Sequence, residues 1–454
     1  MTELPSRVHV IGIGGSHMSA ITRLLLTRGV KVSGSDRRRS EVTDELSTLG
    51  AQISIGHSAQ AIGGAELVVY TAAVGDSNPE LQAARERGVP TLIRAEMVAR
   101  LMEGKSVLAV SGTHGKTTTS TMIALILTRA GHSPMYLLGA DSLDLGPNAA
   151  WGEGPLCVVE ADEYRSAFLE YEPDLAVLTN IDPDHLEYFR TPEAYRMEFE
   201  RFVGRIRRGG TLLACLDDPG SSAVLDGAPS HLLRESYGLD GRADWRAENV
   251  RFESGAVSYL LRHRGNFLGE IRVGPPGRHT VQNSLAAAAT ALHQGVSFSI
   301  VASALGGYLG ARRRFERIGE AGGIEAVDDY SHHPTEVRAF LETARLHFPD
   351  KRLVVVYQPL TYTRIKYLWE DWLHLWEPAD ELIVLETFGS REDPQRPGAE
   401  DLAAAISSPR ARYAADVETA ARLAVEVLRE GDVLLTVGAD EVAEVGPRVL
   451  ERLQ

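Results

Sequence analysis

Residues 106–130 read SVLAVSGTHGKTTTSTMIALILTRA, and the rest of the chain is organised around them. The apolar run Val107, Leu108, Ala109, Val110 predicts a buried strand, and the spacing of Met122, Ile123, Leu125, Ile126 and Leu127 predicts a helix. Between the two lies Gly112-Thr113-His114-Gly115-Lys116-Thr117-Thr118-Thr119. A glycine-rich turn from strand to helix aims backbone N–H groups and the positive end of the helix dipole at one point, where a polyphosphate is stabilised. Lys116 would then reach the terminal phosphates and the Thr117 hydroxyl would ligate Mg²⁺. The general phosphate-loop pattern has a glycine five residues before Gly115. Val110 stands there and the nearest earlier glycine is Gly112, so the match is to a shorter variant. The plain alternative is a tight turn with a solvated lysine.

A chain of 454 residues is too long for one core and suggests about three domains, expected at 1–104, 105–310 and 311–454. Forty-seven basic residues against 62 acidic ones give a formal charge of -15, which argues against a nucleic-acid or acidic-membrane partner. An anionic substrate must therefore be gathered by local basic groups. The two cysteines, Cys157 and Cys215, sit in apolar runs, so buried thiols in a reducing, cytoplasmic setting are expected rather than a disulfide. The start, MTELPSRVHVIGIGG, has no basic segment leading into a long apolar one, and no window approaches the ~18 apolar residues of a span, so no membrane insertion is expected.

The N-terminal third repeats the strand, glycine turn and helix pattern. Val8 to Ile11 opens into Gly12-Ile13-Gly14-Gly15-Ser16-His17-Met18-Ser19, with a helix through Ile21, Leu24, Leu25 and Leu26. A second strand ends in Asp36, where such folds often put an acid on a ribose. His17 occupies the slot of the third glycine of a dinucleotide fingerprint, and the glycines alone do not separate NAD from a nucleotide-sugar. Another strand, residues 67–71, leads through Ala72 and Ala73 to the Ser77-Asn78-Pro79-Glu80 turn.

Two acidic strand ends follow. One apolar run stops at Glu160-Ala161-Asp162-Glu163, and a second at Thr179-Asn180-Ile181-Asp182-Pro183-Asp184-His185. In an α/β sheet the ligand crevice lies at the carboxyl ends of the strands, so both clusters should meet the phosphate loop, where hard oxygen ligands suit Mg²⁺. His185, beside Asp182 and Asp184, is a candidate ligand for a second metal. Asp217-Asp218-Pro219 reads as a solvated strand end, residues 243–273 as a peripheral β region, and Asn283 as either a reader of a purine edge or a helix cap. Beyond the Gly306, Gly307, Gly310 hinge and the Arg312-Arg313-Arg314 turn, alternating strands and helices predict a second doubly wound sheet. Its strand ends carry Asp328-Asp329-Tyr330-Ser331-His332-His333-Pro334-Thr335 and Gln358-Pro359-Leu360-Thr361-Tyr362-Thr363-Arg364, with Thr335 read as a helix N-cap.

GIGGSHMSA, SGTHGKTTT, EADEYRSAFL, TNIDPDH, GRHTVQN, RRRFERIGE, DDYSHHPTE and YTR fall in the order seen in the Mur ligases of peptidoglycan synthesis, which the chain resembles over essentially its whole length. The resemblance implies an α/β protein of three domains: an N-terminal Rossmann-like UDP-binding domain, a central P-loop-type ATP-binding domain, and a mobile Rossmann-like C-terminal domain that brings the amino acid. It implies an ATP-dependent ligase that joins L-alanine to the lactyl carboxylate of UDP-N-acetylmuramate through an acyl phosphate. The alternative within the family attaches a whole L-Ala-γ-D-Glu-meso-diaminopimelate tripeptide to the same sugar.

By motif match, Gly112, Thr113, His114, Gly115, Lys116, Thr117 and Thr118 would hold the ATP phosphates. Thr117 and Glu160 would hold one Mg²⁺ and His185 a second. Asn283 would meet the adenine, Arg314 the phosphates and Asp329 the ribose; His332 and Arg364 would lie near the amino acid. Gly12, Gly14, Gly15, Met18, Ser19 and Asp36 would line the UDP site. The chain departs from the family pattern at His17, Leu360, Thr361 and Thr280. It has no lysine between Lys116 and Lys351, so the carbamylated lysine that other Mur ligases use for a second Mg²⁺ is missing from the centre, which favours the alanine-adding and recycling branch. Readings from other classes are a nicotinamide oxidoreductase built on the first glycine loop and a silent ligase homologue acting as a scaffold.

Overall fold

The computed structural model describes residues 4–71, 74–389 and 392–454; Ala72 and Ala73 lie outside them. Three sheets carry the described residues. The first has five parallel strands in the order Gln52–Ile55, Lys31–Asp36, Arg7–Ile11, Leu67–Tyr70, Thr91–Ile93. The central Arg7–Ile11 strand ends at the first glycine turn, where a doubly wound sheet changes direction and opens a crevice.

The second sheet has ten strands. Ser106–Ser111 lies between Leu156–Glu160 and Leu175–Leu178, parallel to both, so the ends of its two neighbours flank the loop that follows it. Thr211–Cys215 and Leu233–Gly238 continue the parallel run, and Trp245–Glu253, Ala256–His263 and Asn266–Val273 extend the sheet as expected for residues 243–273. The third sheet runs in the order Glu316–Ala321, Ile324–Asp329, Val433–Gly438, Leu353–Gln358, Glu381–Leu385, Ala411–Ala414, parallel except for its first, antiparallel edge strand.

The described residues pack as two compact units. One runs to Glu248 and takes in Leu260–Gly269 and Gln282–Gly307; the other comprises Asn249–Tyr259, Glu270–Val281 and Tyr308–Gln454. Within the first unit one apolar cluster is continuous from Val98 and Leu101 of the first sheet's last helix to Val107, Ala109 and Tyr171 of the central sheet. Arg23 on the Ser16–Thr27 helix adds a 2.8 Å bond to the Asn148 side chain.

Two local expectations are corrected. The cap of the Pro334–His347 helix is His333, whose Nδ1 accepts the Thr335 N–H at 3.3 Å, because Pro334 takes the first helical position and leaves Thr335 one step inside. Asp217 and Asp218 are not a solvated strand end. Asp218 Oδ1 accepts the N–H groups of Ile181 and Ser221, and Asp217 accepts those of Leu239 and Asp240 and the side chain of Gln282. Cys157 and Cys215 are buried free thiols, and burial pushes both up to about 12. Among the described residues no helix is long and apolar enough to cross a membrane.

Candidate active site

The loop after Ser106–Ser111 is shaped by glycines and pinned from the next strand end. Gly112 has φ +131°, and a Cβ there would stand 2.0 Å from the Thr179 hydroxyl. Asn180 is the main brace: its carbonyl accepts the Thr113 N–H, its side-chain oxygen accepts the His114 N–H, and its amide donates to the His114 carbonyl. Thr113 Oγ1 donates to the Asp182 carbonyl at 2.9 Å, and His114 Nε2 lies 3.1 Å from Asp182 Oδ2. Gly115, at φ +82°, starts the Lys116–Arg129 helix, so the N–H groups of Lys116, Thr117 and Thr118 face out of the helix end without intrahelical acceptors. Asn283 is buried against Gly115, which brings its side chain to the loop itself.

Lys116 Nζ sits 2.8 Å from Glu163 Oε2 and bonds the carbonyls of Gly112 and Thr113. Burial alone would lower its pKa, but Glu163, Asp162 and Glu160 outweigh burial and hold the ammonium above its ordinary value. Tyr195 closes the ring, its hydroxyl 2.8 Å from Thr113 Oγ1 and donating to Glu163 Oε1. Sequence reasoning gave Glu163 no task of its own and did not single out Tyr195. The Glu163 signal was present, three residues after Glu160 at one strand end; Tyr195 lies in a helical stretch, where nothing marks it.

Thr117 Oγ1 donates to Glu160 Oε2 at 2.8 Å. Gly139 lies over the pair, since a Cβ on it would approach Glu160 Oε2 to 2.4 Å and Thr117 Oγ1 to 2.5 Å. A hydroxyl and a carboxylate side by side at the mouth of a phosphate loop are the hard oxygen donors a Mg²⁺ ion takes, so these residues fit that ion. His185 is elsewhere on the second strand-end loop, at φ +53°, with its ring 4.8 Å from that of Tyr164 and its nitrogens 3.4 Å from Glu187 and 3.8 Å from Asp184.

The first glycine turn is held by Asp36, whose Oδ2 accepts the Gly14 N–H at 2.9 Å, while Gly12 donates to the Ser35 carbonyl. Gly15 precedes the helix, and Met18 and Ser19 are buried, the Ser19 hydroxyl donating to the Ser16 carbonyl. The Ser19 N–H likewise donates within the helix, to the Gly15 carbonyl at 2.8 Å. Ser16 Oγ donates to the Gly139 carbonyl at 2.8 Å, and Arg94 reaches Asp162 at 2.8 Å, so this turn lies beside the acidic strand end. Burial would raise Asp162, but Arg94 foremost, with His17 and Lys116, drives it well below the carboxylate range.

The second unit carries the remaining expected residues. Asp329 is buried and accepts the N–H groups of Phe315 and Ser331, each at 2.8 Å; burial raises its pKa against the pull of Arg314. Arg313 and Arg314 stand 5.1 and 5.3 Å from the centre of the Tyr330 ring. Arg313 is fixed by Asp328 and the Gly438 carbonyl, so of the basic turn it is structural. His332 Nδ1 lies 3.0 Å from the Tyr330 carbonyl. Arg364 is buried in the short Tyr362–Tyr367 helix, whose cap, Thr361, holds φ +62° and ψ +141°, a conformation a β-branched residue adopts only under constraint.

Comparison with known proteins adds three family matches that together run almost end to end. "Mur ligase family, catalytic domain" matches residues 7–106, "Mur ligase middle domain" residues 110–291, and "Mur ligase, glutamate ligase domain" residues 313–440. The UDP-N-acetylmuramate--L-alanine ligase of Geobacter sp. strain M21 is 42% identical over 452 residues, 99% of this chain and 98% of the relative. That of Saccharopolyspora erythraea is 42% identical over 465 residues, 100% of this chain and 94% of the relative. The crystal structure of the UDP-N-acetylmuramate-alanine ligase of Thermotoga maritima superposes with a TM-score of 0.83 at 29% identity, covering 98% of each chain.

Proposed function

The chain belongs to the Mur ligase family, and from that premise we infer that it joins L-alanine to the lactyl carboxylate of UDP-N-acetylmuramate at the expense of ATP, in peptidoglycan precursor synthesis. Full-length identity to enzymes of that name, 42% in each of two bacteria, favours this over the tripeptide-adding alternative. The observation that carries the chemistry is the Thr117–Glu160 pair at 2.8 Å beside a charged Lys116 at the mouth of the phosphate loop.

The lactyl carboxylate attacks the γ-phosphorus of ATP as the bond to the β,γ-bridging oxygen breaks, giving an acyl phosphate and ADP. The amine of L-alanine then attacks the acyl carbon and phosphate leaves. Charge moves between oxygens in both steps, so fixed donors dominate. Lys116 and the N–H groups at the start of its helix neutralise the phosphate oxygens; the ammonium, which donates to Glu163 and to the Gly112 and Thr113 carbonyls, exchanges one of these partners for a phosphate oxygen. The hard donor pair supports giving one Mg²⁺ to Thr117 and Glu160; bound there, the ion would offset the negative charge on the β- and γ-phosphates. We assign a second cation to His185, the adenine to Asn283, the ribose and phosphates to Asp329 and Arg314, and the amino acid to His332 and Arg364. The UDP moiety goes to Gly12, Gly14, Gly15, Met18, Ser19 and Asp36. The family matches support domain boundaries near 104 and 310, and two buried free cysteines support a cytoplasmic location.

The test is phosphate release from ATP with UDP-N-acetylmuramate and Mg²⁺, comparing L-alanine, glycine, L-serine and the tripeptide. Turnover with L-alanine and little with the tripeptide is expected. Preference for the tripeptide would move the chain to the recycling branch, and silence with every acceptor would favour the scaffold reading.

A further inference from the structure

His17 stands in the first glycine turn where the fingerprint calls for glycine, at the second position of the Ser16–Thr27 helix. Its Nε2 atom is sealed from solvent and has no hydrogen-bond partner among the described residues. A buried polar nitrogen is normally satisfied, and one left open beside a glycine turn leaves room for a group from outside the chain to complete it. Its neighbour Ser16 bonds Gly139, the residue that lies over Thr117 and Glu160. Arg94, Asp162 and Lys116 are the charges around the ring. The imidazole thus belongs to the sugar-nucleotide turn by sequence and lies within electrostatic reach of Lys116 and Asp162, on a helix whose first residue bonds the Gly139 that covers Thr117 and Glu160.

We propose that His17 contacts the substrate in the first half-reaction: its Nε2–H donates a hydrogen bond to the lactyl carboxylate, holding it between the first glycine turn and the Thr117–Glu160 pair for attack on the γ-phosphorus. The inference rests on the ligase reading above. In this step a carboxylate oxygen forms the new O–P bond, the bond to the β,γ-bridging oxygen breaks, ADP leaves with that electron pair, and no proton leaves His17. Burial, then Arg94, with Lys116 also contributing, lowers the ring to about 3 against the opposing pull of Asp162. It is therefore a neutral donor throughout the working pH range. A neutral donor suits the role, because a second cation beside Lys116 would pair with the carboxylate and blunt its attack.

The experiment compares wild type, His17→Gly and His17→Gln. The glycine variant restores the fingerprint residue, and the glutamine variant keeps an N–H donor near the Nε2 position. The readouts are kcat/KM for UDP-N-acetylmuramate at saturating ATP and L-alanine, the KM for L-alanine, and the affinity for UDP alone by calorimetry. Losing a hydrogen bond to a charged group predicts a fall in kcat/KM of roughly 10- to 100-fold in His17→Gly. Most of it should return in His17→Gln, with UDP affinity and the L-alanine KM within about 2-fold of wild type, as expected when a single reacting-end contact is lost. The proposal is overturned by a kcat/KM in His17→Gly near the wild-type value, or by glutamine no better than glycine. It is also overturned if UDP affinity falls by the same factor, since that would move the ring to the diphosphate. A wild type silent with every acceptor overturns the ligase reading itself, and this proposal with it.

Discussion

Asn283 packs so closely on Gly115 that a Cβ added to the glycine would lie 2.5 Å from the asparagine Oδ1. Gly115 also holds φ +82°, so Gly115→Ala meets two penalties, backbone strain and a displaced side chain. Gly131, at φ +81° with nothing within 4 Å, meets only the first. Strain of this kind costs about 1–2 kcal/mol at either position. Both alanine variants should therefore lose a few degrees of apparent melting temperature, while only Gly115→Ala should raise the KM for ATP, by roughly 10-fold or more if Asn283 reads the nucleotide. Equal nucleotide KM values in the two variants would remove Asn283 from the ATP site.

The Thr117–Glu160 pair makes a separate prediction. Glu160→Gln keeps the shape under Gly139 and an acceptor for the Thr117 hydroxyl while removing the negative charge a cation needs. Turnover should fall by about 10²-fold, the usual scale for losing one charge-stabilising group, and half-saturating Mg²⁺ should rise. A Mg²⁺ titration of phosphate release reads both. An unchanged Mg²⁺ dependence would clear Glu160 of the metal role.

For Lys116 the sign of the shift decides the pH behaviour. Its pKa is raised in the folded protein because Glu163, Asp162 and Glu160 outweigh burial, so the ammonium stays charged through neutral and moderately alkaline pH. The alkaline limb of turnover should therefore show no Lys116 titration between pH 7 and about 9. Lys116→Ala should lower turnover by at least ~10²-fold across that range without changing the shape of the profile. A near-wild-type rate would sink the phosphate-loop assignment.

What could be read in advance follows the physics of each element. Parallel strands buried on both faces, such as Ser106–Ser111 and Leu353–Gln358, are continuous apolar runs, and the glycine turn after Ser106–Ser111 marks the ligand side. The strands Gln52–Ile55, Glu316–Ala321 and Ala411–Ala414 are largely half-buried or exposed edge strands, so their composition resembles loops. The meeting of the acidic strand ends with the phosphate loop was legible, but the individual pairings across long sequence separations were not. Arg94 with Asp162, or Lys116 with Glu163 and Tyr195, is a product of strand order and helix placement, and no local spacing encodes it. Thr335 shows the smaller failure: Thr and His both can cap, and only the position of Pro334 decides between them.

Glu235 makes the last prediction, on stability. It is buried in the first unit, where Trp245 Nε1 donates to it at 2.6 Å, His293 Nε2 lies 2.7 Å away and Arg264 pairs with it at 2.8 Å. Burial would raise its pKa, but these partners, His293 and Trp245 foremost, bring it down to about 2 from the ordinary 4.5. A carboxylate whose folded pKa is depressed adds stability that is fully present above its unfolded value and is lost as pH falls toward the folded one. Here that window is about 4.5 to 2, and the full contribution is about 3 kcal/mol. Glu235→Gln should therefore lower the apparent melting temperature of the first unit's transition by several degrees at pH 7, and the gap to wild type should close as the pH is taken from 4.5 toward 2. A gap that stays constant over that range would mean that Glu235 acts through packing alone, with no net contribution from its charge.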